Sequence, residues 1–182
     1  MPLALQDPYL AALAPRFEAL EPRARAAIAG LSGESVAAPP PHGGWSIAQV
    51  FEHLVIANGS YDPATEAAIE RARKRAPRPH ATTFCGRLLI GAMNERNLRP
   101  KPAPRSYRPL TVRAHVFEAF LATNAKLGEH LRQADGTDLR TMLASPILAI
   151  LRMNLGEALA LGVTHTERHL GQIERTRRAM GR

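Results

Sequence analysis

His165 and His169 stand four residues apart. On a helix they would lie one turn above the other on the same face, close enough to hold one metal ion between them. The helical spacing runs back from them through Leu151, Leu155, Ala158 and Gly162 and forward through Gln172 and Thr176, in alternating steps of four and three residues. Such spacing marks a core-facing seam. Its first half is apolar, and where it should continue as Leu or Ile it carries two imidazoles and an amide. Two readings stay open from these residues alone: a metal-binding pair, or buried histidines bonded to neighbouring polar groups.

The other candidate groups divide by position. His53 lies beside Val50 and Ala57, at the border of an apolar face formed by Ile47, Val50, Phe51, Leu54, Asn58 and Tyr61. A histidine on such a rim is either a surface residue or a further ligand. His115 and His130 are fifteen residues apart, too far for one site, and read as surface residues. His42 and His80 fall in loops and offer nothing specific. Glu157 precedes His165 by two turns, roughly 12 Å along a helix axis, and Glu52 points away from the seam, so neither stands where a general base would act. Cys85, the single cysteine, is either a small apolar filler or a thiol whose basic neighbours lower its pKa.

These side chains need helices to position them. Leu10, Leu13, Phe17, Leu20, Ala24, Ile28 and Leu31 recur at a helical period and predict a first helix from Pro8 to Leu31. Pro15 and Pro22 force a kink or a restart within it. After Ser32-Gly33 the stretch from Ala37 to Gly44 is an extended, proline-rich connection. Ser46 and Gln49 then form a capping box that opens a second helix, with Trp45 and Val50 as the two halves of a hydrophobic staple. Asp62-Pro63 predicts a bend, after which the helix resumes toward Arg73. Phe84 to Asn97 holds a short helix, and a third long helix is expected from Thr111 to Gln133. Pro146 is read as the first turn of the final helix, which Arg175, Arg177 and Arg178 close. With no convincing period-two alternation, the expectation is an all-α fold, most simply a four-helix bundle in a single domain over residues 1–182.

Composition narrows the function classes. One cysteine excludes an internal disulfide framework and suits a reducing cytosol. The first fifteen residues lack a basic leader, and no run reaches the roughly eighteen apolar residues of a membrane span. A soluble, cytoplasmic protein without membrane contact is expected. The net charge of +8 is unevenly placed: Arg71 to Arg108 carries eleven Lys and Arg against Glu95 alone, and the remainder sums to −2. Its prolines make much of that segment a loop, either a solvated basic connection between the second and third long helices or a site for an anionic ligand. Only Phe84 and Tyr107 could stack on bases there, which argues against nucleic acid as a partner.

The segments Gly44-Trp45-Ser46-Ile47-Ala48-Gln49-Val50-Phe51-Glu52-His53-Leu54 and His165-Thr166-Glu167-Arg168-His169-Leu170-Gly171-Gln172-Ile173, the latter preceded by Leu155-Gly156-Glu157-Ala158, resemble the DinB superfamily of DinB/YfiT-like four-helix bundles. The likeness extends over the order and spacing of nearly the whole chain. It implies a divalent metal, zinc or nickel by the chemistry of three imidazoles, held by His53, His165 and His169. It also implies thiol-dependent S-transferase or hydrolase chemistry on a small-molecule substrate, with a low-molecular-weight thiol as a second cofactor in the first case. At such a centre the pKa of a bound water falls toward about 7, and a bound thiol is deprotonated outright. Hydrolysis wants a neighbouring base and thiol transfer does not. Gln172 and Gln49, each one turn from a histidine, are placed either to hold the ligand rings or to be satisfied as ordinary bundle amides. The alternative is a non-catalytic bundle, with or without metal, acting through dimerisation; a homodimer is expected because apolar faces left open on such bundles often pair two subunits.

Overall fold

Pro22 decides where the first helix breaks. In a continuous helix its ring would meet the Glu18 carbonyl four residues back. In the computed structural model, which describes residues 3–41, 43–97, 102–147 and 150–181, α1 accordingly stops at that residue. It spans Pro8–Glu18, capped by Asp7, and α2 restarts over Leu20–Ile28. A short α3, Gly33–Ala37, follows. His42 and residues 98–101 of the basic segment lie outside the described residues.

The capping box at Ser46 is formed as the sequence predicts. The Gln49 amide donates to the Ser46 hydroxyl at 3.2 Å and the Ser46 amide to Gln49 Oε1 at 3.0 Å, opening α4 over Ile47–Gly59. Asp62-Pro63 starts α5, Asp62–Ala72, and Thr83 caps α6, Phe84–Met93. Among the described residues the fold is all-α apart from one two-stranded antiparallel sheet. Two apolar clusters build the interior, one around Leu10, Ile69, Leu131, Leu155 and Leu159, the other around Leu20, Phe51, Phe120, Val163 and Ile173. Both contain residues of the last helix, α8, so this helix is the spine that joins them.

Three expectations are corrected. The final helix spans Leu155–Ala179 rather than starting at Pro146, because Met142–Ala144 (β1) pairs antiparallel with Arg152–Asn154 (β2). Asn154 and Glu157 then make a second capping box, with the Glu157 amide donating to Asn154 Oδ1 and the Asn154 amide to Glu157 Oε2, both at 2.9 Å. Leu151 therefore precedes the helix. The third long helix, α7, covers Val116–Ala134, starting five residues later than Thr111. His115 before it is left-handed (φ 54°), and Arg113 is tied to Glu52 by an Nη2–Oε1 contact of 2.8 Å. His130 is no surface residue: it is 2% exposed.

The basic segment is tied down at several points, although its described Lys and Arg residues are exposed. Arg78 donates to the buried Asp138 at 2.6 Å, His80 stacks on Tyr9 with ring centroids 3.6 Å apart, and Glu95 pairs with Arg23 of α2. Glu157, wholly buried, also accepts from the Thr83 amide and from its hydroxyl at 2.9 Å. The start of α6 is thereby held so close to α8 that a Cβ on Gly86 would overlap the Glu157 carboxylate. Gly86→Ala should therefore destabilise the protein by about 1–3 kcal/mol, the usual cost of overpacking, and lower Tm by about 2–10 °C in a calorimetric scan.

Burial pushes the Asp138 carboxyl up, but Arg78, the Arg140 amide and the charge of Arg75 outweigh it and hold the group below its ordinary value. A depressed carboxylate stabilises the fold fully above its unfolded pKa of about 3.9 and loses that contribution as pH falls through the folded value. Asp138→Asn should thus be destabilising at pH 7, with the gap to wild type closing below about pH 4. Urea denaturation from pH 3 to 7 reads both limbs.

Candidate metal centre

Three helical positions that are remote in sequence meet in one place. His53 comes from the second turn of α4, and His165 and His169 from successive turns of α8. One ligand atom from each lies within 4.8 Å of the other two. The His53 and His165 Nε2 atoms face each other at 3.2 Å, and the ring centroids of His53 and His169, and of His165 and His169, are 4.6 Å apart. His53, expected at the rim of its helix face, is 4% exposed. The end of the basic segment lies against it at Tyr107, and Trp45 packs its ring at 4.9 Å on the His53 imidazole. The tryptophan at the helix entry therefore also walls the site.

What each ring does with its other nitrogen sets the chemistry. His53 Nδ1 lies 2.8 Å from the Tyr107 carbonyl, which can only accept, so Nδ1 carries the proton. His165 Nδ1 lies 2.9 Å from Asn58 Oδ1. The Asn58 amide is oriented by Thr166: that hydroxyl donates to the Gly162 carbonyl, so its oxygen accepts from Asn58 Nδ2, each contact at 2.9 Å. Oδ1 is then the atom facing His165, and the imidazole donates to it. His169 Nδ1 donates to Gln172 Oε1 at 2.9 Å. With every Nδ1 proton engaged, a neutral ring leaves its Nε2 lone pair free.

Burial keeps the rings neutral. It is the main cause lowering all three pKa values: that of His53 is lowered against an opposing contribution from the Tyr107 carbonyl, that of His165 is pushed far down with help from the neighbouring histidines, and that of His169 falls to about 3. Lone pairs confronting each other at 3.2 Å repel, and a cation shared between them relieves that repulsion. Three ligands on a tetrahedral zinc stand about 3.4 Å apart, so the donor set fits a divalent ion bound by three neutral imidazoles.

Around the histidines lies a cavity of about 680 Å³. Leu89, Met93, Leu127 and Leu161 supply apolar wall, and Arg108, Arg168 and Arg175 line it near the rings. Neither Glu157 nor Glu52 lines this space. Glu157 is held at the α6 terminus, and Glu52 is buried in its pair with Arg113, which holds its carboxyl below the usual range. Gln172 stands where the sequence placed a ring-holding amide. Gln49 does not: its Oε1 is committed to the capping box and its Nε2 reaches the Pro109 carbonyl at 3.4 Å. Asn58 takes that role, for a different histidine. It had been counted as part of an apolar face, and a polar residue on that face was the signal. The Tyr107 carbonyl carries no sequence signal, because only the path of the loop brings it there.

An all-helical chain with three imidazoles converging in a lined cavity defines a class of metal-binding helical proteins. The chain belongs to the DinB superfamily, whose sequence profile matches residues 16–173, a span that includes all three histidines. No curated protein and no solved structure matches it. Among the described residues, no helix is long and apolar enough to cross a membrane.

Replacing Gln172 by leucine removes the acceptor that fixes the His169 ring without touching a ligand atom. Zinc affinity measured by competition with a chromophoric chelator should fall about 10–100-fold, with Tm of the metal-free protein little changed. Unchanged affinity would show that the amide does not orient the ring.

Proposed function

We propose that this chain is a metal-dependent enzyme of the DinB type, with a divalent ion, zinc or nickel, held by His53, His165 and His169, acting on a small-molecule substrate by thiol transfer ahead of hydrolysis. The observation that carries the reading is the pairing of three engaged Nδ1 atoms with three converging Nε2 atoms. Such an ion keeps its full charge and open positions, and supplies Lewis acidity to the group that reacts there.

The chain's own residues favour the thiol branch. Hydrolysis wants a base close to the reacting oxygen, and neither Glu52 nor Glu157 lines the cavity. Arg108, Arg168 and Arg175 raise the local potential where an anionic thiol or its electrophilic partner would approach. The apolar wall keeps water from competing. Tyr107, Asn58 and Gln172 hold the rings, so the site does not have to reorganise as charge develops.

We read the α1–α2, α4–α5, α7 and α8 units as the four members of a bundle forming one domain, with the basic, proline-rich segment connecting the second and third, in a cytoplasmic protein. Phe84 and Leu88, 73% and 63% exposed one turn apart on α6, support the expectation of a homodimer.

Elemental analysis of protein purified without an affinity tag or chelator tests the centre. About one equivalent of zinc or nickel per chain is expected, lost in His53→Ala and in His169→Ala, with turnover of a thiol and electrophile panel lost in parallel. No metal in the native protein and no uptake on titration would overturn the catalytic reading and leave a helical protein acting through association.

A further inference from the structure

The cavity has a second polar pole that the three histidines do not use. Leu127 of α7 packs against Gly162 of α8, where a Cβ would stand 3.2 Å from the leucine methyls. Leu131 packs with Leu155 and Leu159, and Phe120 with Val163 and Ile173, so α7 runs antiparallel to α8. His130, one turn beyond Leu127, is therefore level with the start of α8, about 10 Å along the axis from His165. His130 and Asp62 both line the cavity, as do Tyr61 and Ser145, whose hydroxyls are 3.0 Å apart.

This pole is incompletely hydrogen-bonded. His130 is 2% exposed, yet its Nε2 has no hydrogen-bond partner among the described residues. Its Nδ1 is 3.7 Å from Asp62 Oδ1 and its Nε2 is 3.6 Å from Glu66 Oε1, both too long for a hydrogen bond. Glu66 is already paired with Lys126 at 2.9 Å. Asp62 makes no contact that short, although the charges of His130 and Lys126 both act on it. It is half-buried, burial pushes its carboxyl up, and it accepts no hydrogen bond from any described side chain. A carboxylate can only accept, so the group that completes it must donate, and an ammonium does so with a matching charge. The same cavity is also lined by the aliphatic side chains of Leu127, Leu151, Leu159 and Leu161.

We propose that Asp62 and His130 form a recognition site for the protonated amine of an elongated ligand, whose apolar body spans the cavity toward the three histidines. This rests on the metal-centre reading only for which end of the ligand reacts; the amine site itself stands on the cavity and the two incomplete groups. The substrate class it selects is a primary amine carrying about 10 Å of apolar chain before its reactive group.

The probes are n-octylamine, 1-octanol and octanoate, titrated into the protein as purified and followed by the fluorescence of Trp45, the single tryptophan, which lines the same cavity. Isothermal calorimetry supplies the dissociation constants. Octylamine should bind at least tenfold more tightly than either comparator. Asp62→Asn should remove most of that preference and leave octanol binding unchanged, and His169→Ala should retain the preference. Equal binding of the three probes by wild type, or a preference that survives Asp62→Asn, overturns the amine site. Loss of octylamine binding in His169→Ala but not in Asp62→Asn also overturns it, since the amine would then be ligating metal directly. An amine preference in a protein that holds no metal would leave this site standing and remove the metal-centre reading, so the two fail separately.

Discussion

The constraint on which the rest of the structure depends is that three imidazoles are packed together, His53 buried and His165 and His169 half-buried, each with a proton that must go somewhere. A buried N–H without an acceptor costs on the order of 1–3 kcal/mol, and here each of the three has its own acceptor, one backbone carbonyl and two side-chain amides. Tyr107 offers a backbone carbonyl, Asn58 an amide on the same helix as His53, and Gln172 an amide on the same helix as His169. Solving that problem on the Nδ1 side leaves the Nε2 side unsolved in a useful way, with lone pairs that face one another and the cavity. The site therefore resembles a structure with one component of its charge balance left to be supplied.

Holding the acceptors in place explains features that look unrelated to the site. Asn58 orients correctly only because Thr166 spends its own proton on the Gly162 carbonyl. Tyr107 reaches His53 because the end of the basic segment and the chain just after it are fastened at Gln49, Ser60 and Glu52, through Pro109, the Tyr107 hydroxyl and Arg113. Upstream, the same segment is fastened through Arg78 to Asp138 and through Thr83 to Glu157. The excess positive charge of this region is thus partly an anchoring device.

The sequence made the helical class and the α8 seam legible, because period-3.6 patterning and capping chemistry are local. The Ser46 box and the break forced by Pro22 needed no knowledge of what they pack against. Signals that depend on a partner were misread. His130 was placed on the surface because fifteen residues separate it from His115, but its burial is decided by α5 and the cavity and not by its own helix. The hairpin at Met142 was missed because each strand is three residues long, too short for an alternation to register, and Pro146 offered a persuasive helix start nearby. Asn154 with Glu157 was the better signal, a capping box of the same kind as the one recognised at Ser46.

The polar groups of the site also explain why one face of α8 carries little apolar packing along its middle. Leu155, Leu159, Val163, Leu170 and Ile173 pack into the two apolar clusters, while positions 165, 169 and 172 on the adjoining face give up aliphatic burial of about 1.5–3 kcal/mol apiece. A fold can tolerate that loss when the surrounding contacts over-determine the geometry. The anchors at either end of the helix, Glu157 with Thr83 at its start and Glu174 with Arg23 at 2.6 Å toward its end, bracket the stretch where packing is sacrificed. Rigid ends with a polar, cavity-facing centre are what preorganised chemistry requires, since the rings must be held without being filled in.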